Sequence, residues 1–217
     1  MNNITFRQIE RWTLKEKKPE GHGPHPLTLL LHGWTGDENS MWIFSSRLPS
    51  HHWLVAPRGL HPSPIGGFSW CADQQETYPS FDCFYPAVEA LLKLLTPGNF
   101  PDAALDRFFV VGFSQGAALA YTLALLHPHR VWAVAGLSGF FPSGAEQSVA
   151  GQPLLGKPVF IAHGTEDALV PFSMARQAVM QLQKAGAKVS YCEHQAGHKL
   201  DIRCFASLQS FFRALTD

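Results

Sequence analysis

A serine between two glycines is the feature of this sequence that first suggests catalysis. The strand-forming run from Arg107 to Val111 breaks at the pentapeptide GFSQG, residues 112–116, and the chain then continues as the helix-forming AALA. A nucleophilic serine has to project from a sharp strand-to-helix turn. Small residues are needed two positions before and after it, because strand and helix come close there. We therefore expect Ser114 at the tip of such a turn, with its hydroxyl exposed at a helix N-terminus.

Residues that could activate this serine follow in a suggestive order. A serine hydroxyl is a poor nucleophile at its free pKa, so Ser114 needs a base, and the base needs an acid to orient it. Asp167 lies 53 residues after the serine, and His198 lies 31 residues after Asp167. The order serine, acid, histidine is that of α/β-hydrolases. Two alternatives remain open at this stage: Glu166 as the acid and His194 as the base.

Backbone amides are the expected stabilisers of a negatively charged oxygen in the reaction. One donor would be the N–H of Gln115, the residue after the nucleophile, and the other would come from the loop after an early strand. Trp34, which follows His32 and Gly33 after the apolar run LTLLL, is the expected second donor. Loss of one such donor costs about 100- to 1,000-fold in rate.

Short apolar runs alternate with helical patterns, and these elements must position the chemical residues. Near-continuous apolar strands flanked by helices indicate a mostly parallel sheet with helices on both faces. Such sheets place their chemistry beyond the carboxyl ends of the strands, where Ser114, Asp167 and His198 all lie. Strands are predicted at 27–31, 53–56, 107–111, 131–137, 158–162 and 188–193, with a strand or hairpin at 5–14 and helices at 82–95, 115–127, 171–185 and 202–215.

Composition narrows the class of protein. The chain has 217 residues, with 17 Lys and Arg and 17 Asp and Glu, so zero formal charge gives no footprint for nucleic acid. No signal-peptide core is present at the N-terminus, and no window has the roughly 20 apolar residues of a membrane span. We expect a single domain over residues 1–217, a cytoplasmic setting and no stable membrane insertion.

Several cysteines, histidines and acidic residues are predicted to have structural roles. No CxxC pair occurs, so the cysteines are expected to be reduced thiols. His32 and His163 each precede a glycine at a strand end and should hold loops by hydrogen bonds. Asp37 and Glu38 are expected to cap the next helix, and their surroundings offer no convincing metal site.

Five segments together resemble a known family, the small α/β-hydrolases that include carboxylesterases, lysophospholipases and acyl-protein thioesterases. The resemblance is spread over most of the chain, and it implies an α/β-hydrolase fold without a large cap domain. It also implies Ser114 as nucleophile, Asp167 as orienting acid and His198 as base. The segments are LHGWTGDE (31–38), APRG (56–59), GFSQGAALA (112–120), HGTEDALVP (163–171) and AGH (196–198).

Aromatic and aliphatic side chains on the expected active-site loops should bind the substrate. Trp70, in the segment GGFSW, resembles an aromatic that lines the active-site cleft of this family. Trp34, Phe113 and Leu169 are also expected to line the pocket, whereas for Trp42 core packing is an equal alternative.

These expectations combine into one reaction class with two alternatives. We expect a serine hydrolase that cleaves small-molecule carboxylic esters or thioesters through an acyl-enzyme intermediate, as a monomer or homodimer, without a metal or organic cofactor. A serine peptidase of the same fold is one alternative, since the triad does not fix the leaving group. A hydrolase-like protein that binds ligands without turnover is the other.

Overall fold

A central sheet of eight strands organises the computed structural model, which describes residues 4–73 and 76–216. The first strand runs antiparallel to the second, the second runs antiparallel to the fourth strand of the chain, and the remaining neighbours are parallel. The strands of the chain are β1 (Ile4–Ile9), β2 (Trp12–Lys17), β3 (His25–Leu31), β4 (Trp53–Pro57), β5 (His61–Pro62), β6 (Phe68–Ser69), β7 (Ala103–Phe113), β8 (Val131–Leu137), β9 (Pro158–Gly164) and β10 (Lys188–His194). The order in the large sheet is β1-β2-β4-β3-β7-β8-β9-β10, and β5 and β6 form a separate hairpin.

Helices cover both faces of the sheet, as a parallel sheet requires. Helices α1 (Tyr85–Leu94), α2 (Gln115–Leu126) and α3 (Phe172–Lys184) contribute to the core on one face. Helix α4 (Ile202–Thr216) and a 3₁₀ helix (Ser40–Arg47) form the core on the other face. Helix α2 is apolar almost all round and is buried along its length, which is the behaviour expected of such a helix.

The predicted α/β-hydrolase architecture is confirmed. Each predicted strand lies within or overlaps an observed one, the region 5–14 forms the hairpin of β1 and β2, and the four predicted helices are present. Helix α3 begins one residue later than expected, because Pro171 has extended backbone angles (φ −53°, ψ 140°) and precedes the first turn. In the described residues, no inserted cap covers the carboxyl ends of the strands.

The hairpin of β5 and β6 was not predicted from the sequence. Its strands have two residues each, too few to produce a hydrophobic period in the sequence. The hairpin is tied to the loop after β3 by hydrogen bonds from Thr35 N to Phe68 O and from Phe68 N to Gly36 O, both 2.9 Å. It therefore supports the loop that carries Trp34.

Candidate active site

Ser114 occupies a strained turn between β7 and α2. Its backbone angles are φ 53° and ψ −117°, a region that costs a non-glycine residue about 1–3 kcal/mol. The flanking glycines make the turn possible: a Cβ on Gly112 would lie 2.1 Å from the carbonyl oxygen of Gly116. A Cβ on Gly116 would lie equally close, 2.1 Å, to the carbonyl oxygen of Leu31. Strand, helix and the neighbouring strand β3 thus meet around the serine, as the pentapeptide predicts.

Asp167 and His198 are brought together from two loops that follow neighbouring strands, β9 and β10. His198 Nδ1 lies 2.7 Å from Asp167 Oδ2, and the side chain of Asp167 is fully buried. The other carboxylate oxygen, Oδ1, accepts the backbone N–H groups of Leu169 and Val170, both at 2.9 Å. A buried carboxylate with these partners is held in one orientation. Close packing of the two loops needs Gly164, where a Cβ would lie 2.2 Å from the carbonyl oxygen of Ala196.

Ser114 and His198 line the same cavity, which has a volume of about 480 Å³. Phe113 packs edge-on against the His198 ring, with centroids 4.9 Å apart. The structure records no hydrogen bond between Ser114 Oγ and His198 Nε2 among the residues that it describes; in apo enzymes such bonds are often long and tighten with substrate. Trp34, Tyr78, Phe140 and Leu169 also line the cavity.

The expected oxyanion donors belong to the first residue of α2 and to a loop that packs against the serine. Gln115 is the first residue of α2, and the first N–H groups of a helix have no acceptor within the helix. The loop after β3 runs past the nucleophile, because a Cβ on Gly33 would lie 3.2 Å from Ser114 Cβ. Trp34 is the next residue of this loop, and its side chain is 44% exposed and contacts the cavity.

Trp70 does not line the cavity, and the sequence-based expectation for this residue is wrong. Its side chain is fully buried, and its Nε1 donates to the carbonyl oxygen of His32 at 2.8 Å. Its backbone N–H donates to Gln115 Oε1 at 3.0 Å. Trp70 thus supports the loop after β3 through its indole and the side chain of Gln115 through its backbone, and its buried side chain has no surface left for substrate.

His32 and His163 are structural, as expected. Gly59 N–H donates to His32 Nε2 at 2.7 Å, so the protonated nitrogen is Nδ1, which donates to Gly33 O at 2.7 Å. Burial lowers the pKa of His32 from 6.5 to about 4, which keeps the ring neutral at neutral pH. Burial also lowers the pKa of His163, and its Nε2 donates to Val170 O at 2.9 Å.

The early acidic pair has two different roles. Asp37 Oδ1 accepts the N–H groups of Asn39 and Ser40 at 2.9 and 3.1 Å, so Asp37 caps the 3₁₀ helix as predicted. Glu38 does not cap it. It forms a two-point ion pair with Arg58, at 2.7 and 2.9 Å, and this pairing lowers the pKa of Glu38.

The alternative acid and base lie outside the cavity. Glu166 accepts a hydrogen bond from Gln195 Nε2 at 2.8 Å on the surface. His194 is buried, its Nε2 bonded to Lys199 O at 2.8 Å and its Nδ1 lying 3.2 Å from Cys204 Sγ. The geometry therefore favours Asp167 and His198 over these alternatives.

Two of the cysteines form a disulfide, so the expectation of four reduced thiols is wrong for them. Cys192 in β10 is bonded to Cys204 in α4, whereas Cys71 and Cys83 are free. In the described part of the chain, His194, Asp201 and Cys204 form the one grouping with metal-ligand atoms close together. In the disulfide, Cys204 offers no thiolate to a metal.

This fold, with a serine at a strained strand-to-helix turn, defines an α/β-hydrolase. The chain belongs to the phospholipase/carboxylesterase family, whose model matches residues 17–216. The carboxylesterase of Bacillus cereus shares the fold, with a TM-score of 0.81 over 94% of this chain and 95% of that chain at 19% identity.

Curated relatives carry related descriptions. The chain is similar to acyl-protein thioesterase 1 of Saccharomyces cerevisiae, at 30% identity over 169 residues (69% of this chain, 74% of that protein). It is similar to acyl-protein thioesterase 1 of Debaryomyces hansenii, at 32% over 115 residues (52% of this chain), and it spans half the length of that relative. A rice protein described as a probable inactive carboxylesterase is 33% identical over 144 residues (65% of this chain, 56% of that protein). Family membership alone therefore does not establish turnover. Among the described residues, no helix is long and apolar enough to cross a membrane.

Proposed function

We propose that the protein is a serine hydrolase that cleaves carboxylic esters or thioesters through an acyl-enzyme intermediate. One observation carries the proposal: a serine in a strained turn shares a cavity with a histidine whose far nitrogen is bonded to a buried carboxylate. A protein that needed Ser114 only as a turn residue would have no reason to keep this strain. The free energy that the strained backbone costs is explained if the turn exposes a nucleophile.

The reaction follows from these contacts. A carboxylate only accepts hydrogen bonds, so Nδ1 of His198 carries a proton and Nε2 is the free base. Nε2 takes the proton of Ser114 as Oγ attacks the acyl carbonyl, and then gives that proton to the departing alcohol or thiol. Water enters, loses a proton to Nε2 and releases the acid, which restores the serine. Asp167 holds the ring and stabilises the imidazolium that forms in both halves.

Backbone amides stabilise the tetrahedral intermediates. In this proposal one N–H comes from Gln115, the first residue of α2, and the other from Trp34, which follows Gly33 in the loop that packs against Ser114. The side chain of Gln115 is held at 3.0 Å by the backbone of Trp70, which fixes the first turn of the helix. Fixed donors need no reorganisation as charge develops on the oxygen, and this is the source of their effect on rate.

The cavity indicates a small ester with an apolar part. Its volume of about 480 Å³ suits a small molecule. Aromatic and aliphatic side chains form most of the wall around the serine, which fits an acyl chain or an aromatic alcohol. The lining residues include Trp34, Ile65, Tyr78, Phe113, Phe140, Leu169 and Val170.

A ligand-binding protein without turnover is the competing function, because the Ser114–His198 hydrogen bond is not formed in this structure. Intact mass after treatment with a fluorophosphonate, together with nitrophenyl ester turnover, separates the two functions. Native wild type should gain one label, and Ser114→Ala should gain none and lose turnover. Ser210→Ala, which removes an exposed hydroxyl on α4, should behave as wild type. Equal turnover by wild type and Ser114→Ala would sink the catalytic proposal.

A further inference from the structure

The Cys192–Cys204 disulfide closes a loop that has His198 at its centre. Cys192 lies in β10 six residues before His198, and Cys204 lies in α4 six residues after it. The bond therefore joins the last strand of the sheet to the last helix directly across the loop that presents the histidine. No other covalent link among the described residues restrains this loop.

His194 ties the same loop to the disulfide from inside. Its Nε2 donates to the carbonyl oxygen of Lys199, the residue after His198, at 2.8 Å. Its Nδ1 lies 3.2 Å from Cys204 Sγ, and the ring is 2% exposed. Asp201 Oδ1 accepts the N–H of Cys204 at 2.9 Å. The first part of the loop, at His194, and its last part, at Asp201, therefore both contact Cys204.

The residues between these anchors are held only by noncovalent contacts, among them the hydrogen bond of His198 to Asp167 and the packing of Phe113. Gln195 and Lys199 are exposed, and the residues from Ala196 to His198 are partly exposed. The remaining contacts include a hydrogen bond from Glu166 N to Ala196 O at 3.0 Å and the packing of Leu200. A catalytic base displaced by about 1 Å loses up to about 100-fold in rate, so restraint of this loop bears directly on chemistry.

One cysteine of the disulfide lies at a surface groove. Cys192 lines a surface groove of about 740 Å³ between β10 and α4, whereas Cys204 is fully buried. A thiolate entering the groove would attack Cys192 Sγ, and Cys204 would be the leaving sulfur. Cys204 lies in the first turn of α4, where the helix dipole favours a thiolate.

We propose that the Cys192–Cys204 disulfide positions His198 and that its reduction lowers the hydrolase activity reversibly. This inference rests on the proposed function. A dithiol supplies two electrons and two protons: the S–S bond breaks, two thiols remain, and the reductant becomes a cyclic disulfide. Cys192, Cys204 and His194 are positioning residues, since they act through His198 and do not contact substrate.

The test compares kcat and KM of the oxidised and the reduced wild-type protein on a nitrophenyl ester. The protein is treated with dithiothreitol, separated from it without air, assayed, and then quenched in denaturant with an alkylating agent to count thiols by mass. Reduction should lower kcat about 10- to 100-fold and leave KM within about twofold, because loss of positioning affects the chemical step. Reoxidation should restore kcat.

Matched variants separate this disulfide from the other cysteines. Cys192→Ser/Cys204→Ser should have the low kcat with or without dithiothreitol. Cys71→Ala/Cys83→Ala should keep the full response, and burial raises the pKa of the Cys71 thiol, which keeps it protonated and slow to exchange.

Two outcomes overturn the proposal. One is an unchanged kcat in protein whose four thiols are all alkylated. The other is loss of the native far-ultraviolet circular dichroism, both on reduction and in the double serine variant. That result would mean that the bond stabilises the whole fold rather than positions His198. Failure of the proposed function would look different, since oxidised wild type would then turn over no faster than Ser114→Ala.

Discussion

Asp167 and His198 are joined by a 2.7 Å hydrogen bond between Oδ2 of the carboxylate and Nδ1 of the imidazole. The carboxylate is itself fixed by the N–H groups of Leu169 and Val170, and His163 Nε2 lies 3.5 Å from Oδ2. The backbone turn that follows β9 fixes the carboxylate of Asp167, and the carboxylate in turn orients the ring of His198. If the pair acts in catalysis, the orientation of His198 by the carboxylate should determine the rate of ester cleavage.

Asp167→Asn tests that requirement. The amide can donate where the carboxylate accepts, so it favours the wrong tautomer of His198, and kcat should fall about 1,000- to 10,000-fold with KM little changed. Steady-state kinetics on a nitrophenyl ester measures both constants. Glu166→Gln removes the adjacent carboxylate, which is bonded to Gln195 on the surface, and should leave kcat within about twofold. Comparable losses in the two variants would contradict the assignment of the acid.

Gly116→Ala tests the packing that makes the serine turn possible. A Cβ at this position would lie 2.1 Å from Leu31 O and 2.6 Å from His32 O, and backbone atoms of a buried strand cannot move aside cheaply. We expect a loss of about 3 kcal/mol or more in the free energy of unfolding, together with loss of activity.

Urea unfolding monitored by circular dichroism measures the change. Gly98→Ala is the matched control, since a Cβ there would meet its nearest neighbour, Thr96 Oγ1, at 3.8 Å. That variant should stay within about 0.5 kcal/mol of wild type. Equal stability of the two variants would show that strand and helix are not in the close contact described.

Much of this architecture could be predicted because its causes are local. Strands such as β8 and β9 are buried on both faces, so they appear as unbroken apolar runs. The serine turn depends on Gly112 and Gly116, where no side chain fits. The cause is the close contact of β7 and α2, which are adjacent in the sequence. The relation of Ser114 to Asp167 and His198 follows from their order along a sheet whose strand ends share one edge.

The features that could not be predicted depend on distances between elements far apart in sequence. Trp70 was expected in the cleft, but its indole is drawn under the loops by the carbonyl oxygen of His32. Cys192 and Cys204 meet because α4 packs back on β10, and a spacing of 12 residues alone does not indicate a bond. Glu38 and Arg58 pair across two loops although they lie 20 residues apart in the sequence.

Stability should depend on pH through buried neutral histidines. Burial lowers the pKa of both His32 and His52 from 6.5 to about 4. Between these values the unfolded chain binds protons that the folded protein does not, so stability is fully present above about pH 6.5. It is lost as the pH falls toward 4, by up to about 3 kcal/mol for each group.

His52→Asn isolates one of these groups. The asparagine side chain can still face Thr28 Oγ1, which lies 2.8 Å from His52 Nδ1. The free energy of unfolding should fall between pH 7 and pH 5 by about 2 kcal/mol less in the variant than in wild type. Urea unfolding at both pH values measures this. His129→Asn, at an exposed position, should keep the wild-type dependence, and an unchanged slope in His52→Asn would rule out the buried neutral histidine.

Glu76 should set the charge preference of the cavity. Among the described residues that line the cavity with Ser114 and His198, Glu76 is the one carboxylate, and none of them is Lys or Arg. Esters that carry a negative charge near the carbonyl should therefore have a kcat/KM about 3- to 10-fold below neutral esters of equal length, and salt should weaken the difference. Nitrophenyl butyrate, a nitrophenyl hemisuccinate and a trimethylammonio-butyrate ester form a matched series. Glu76→Gln should narrow the range and Glu76→Lys should reverse it, while Glu166→Gln, outside the cavity, should not alter it. If Glu76→Lys leaves the order of the three esters unchanged, this carboxylate does not govern which substrates enter.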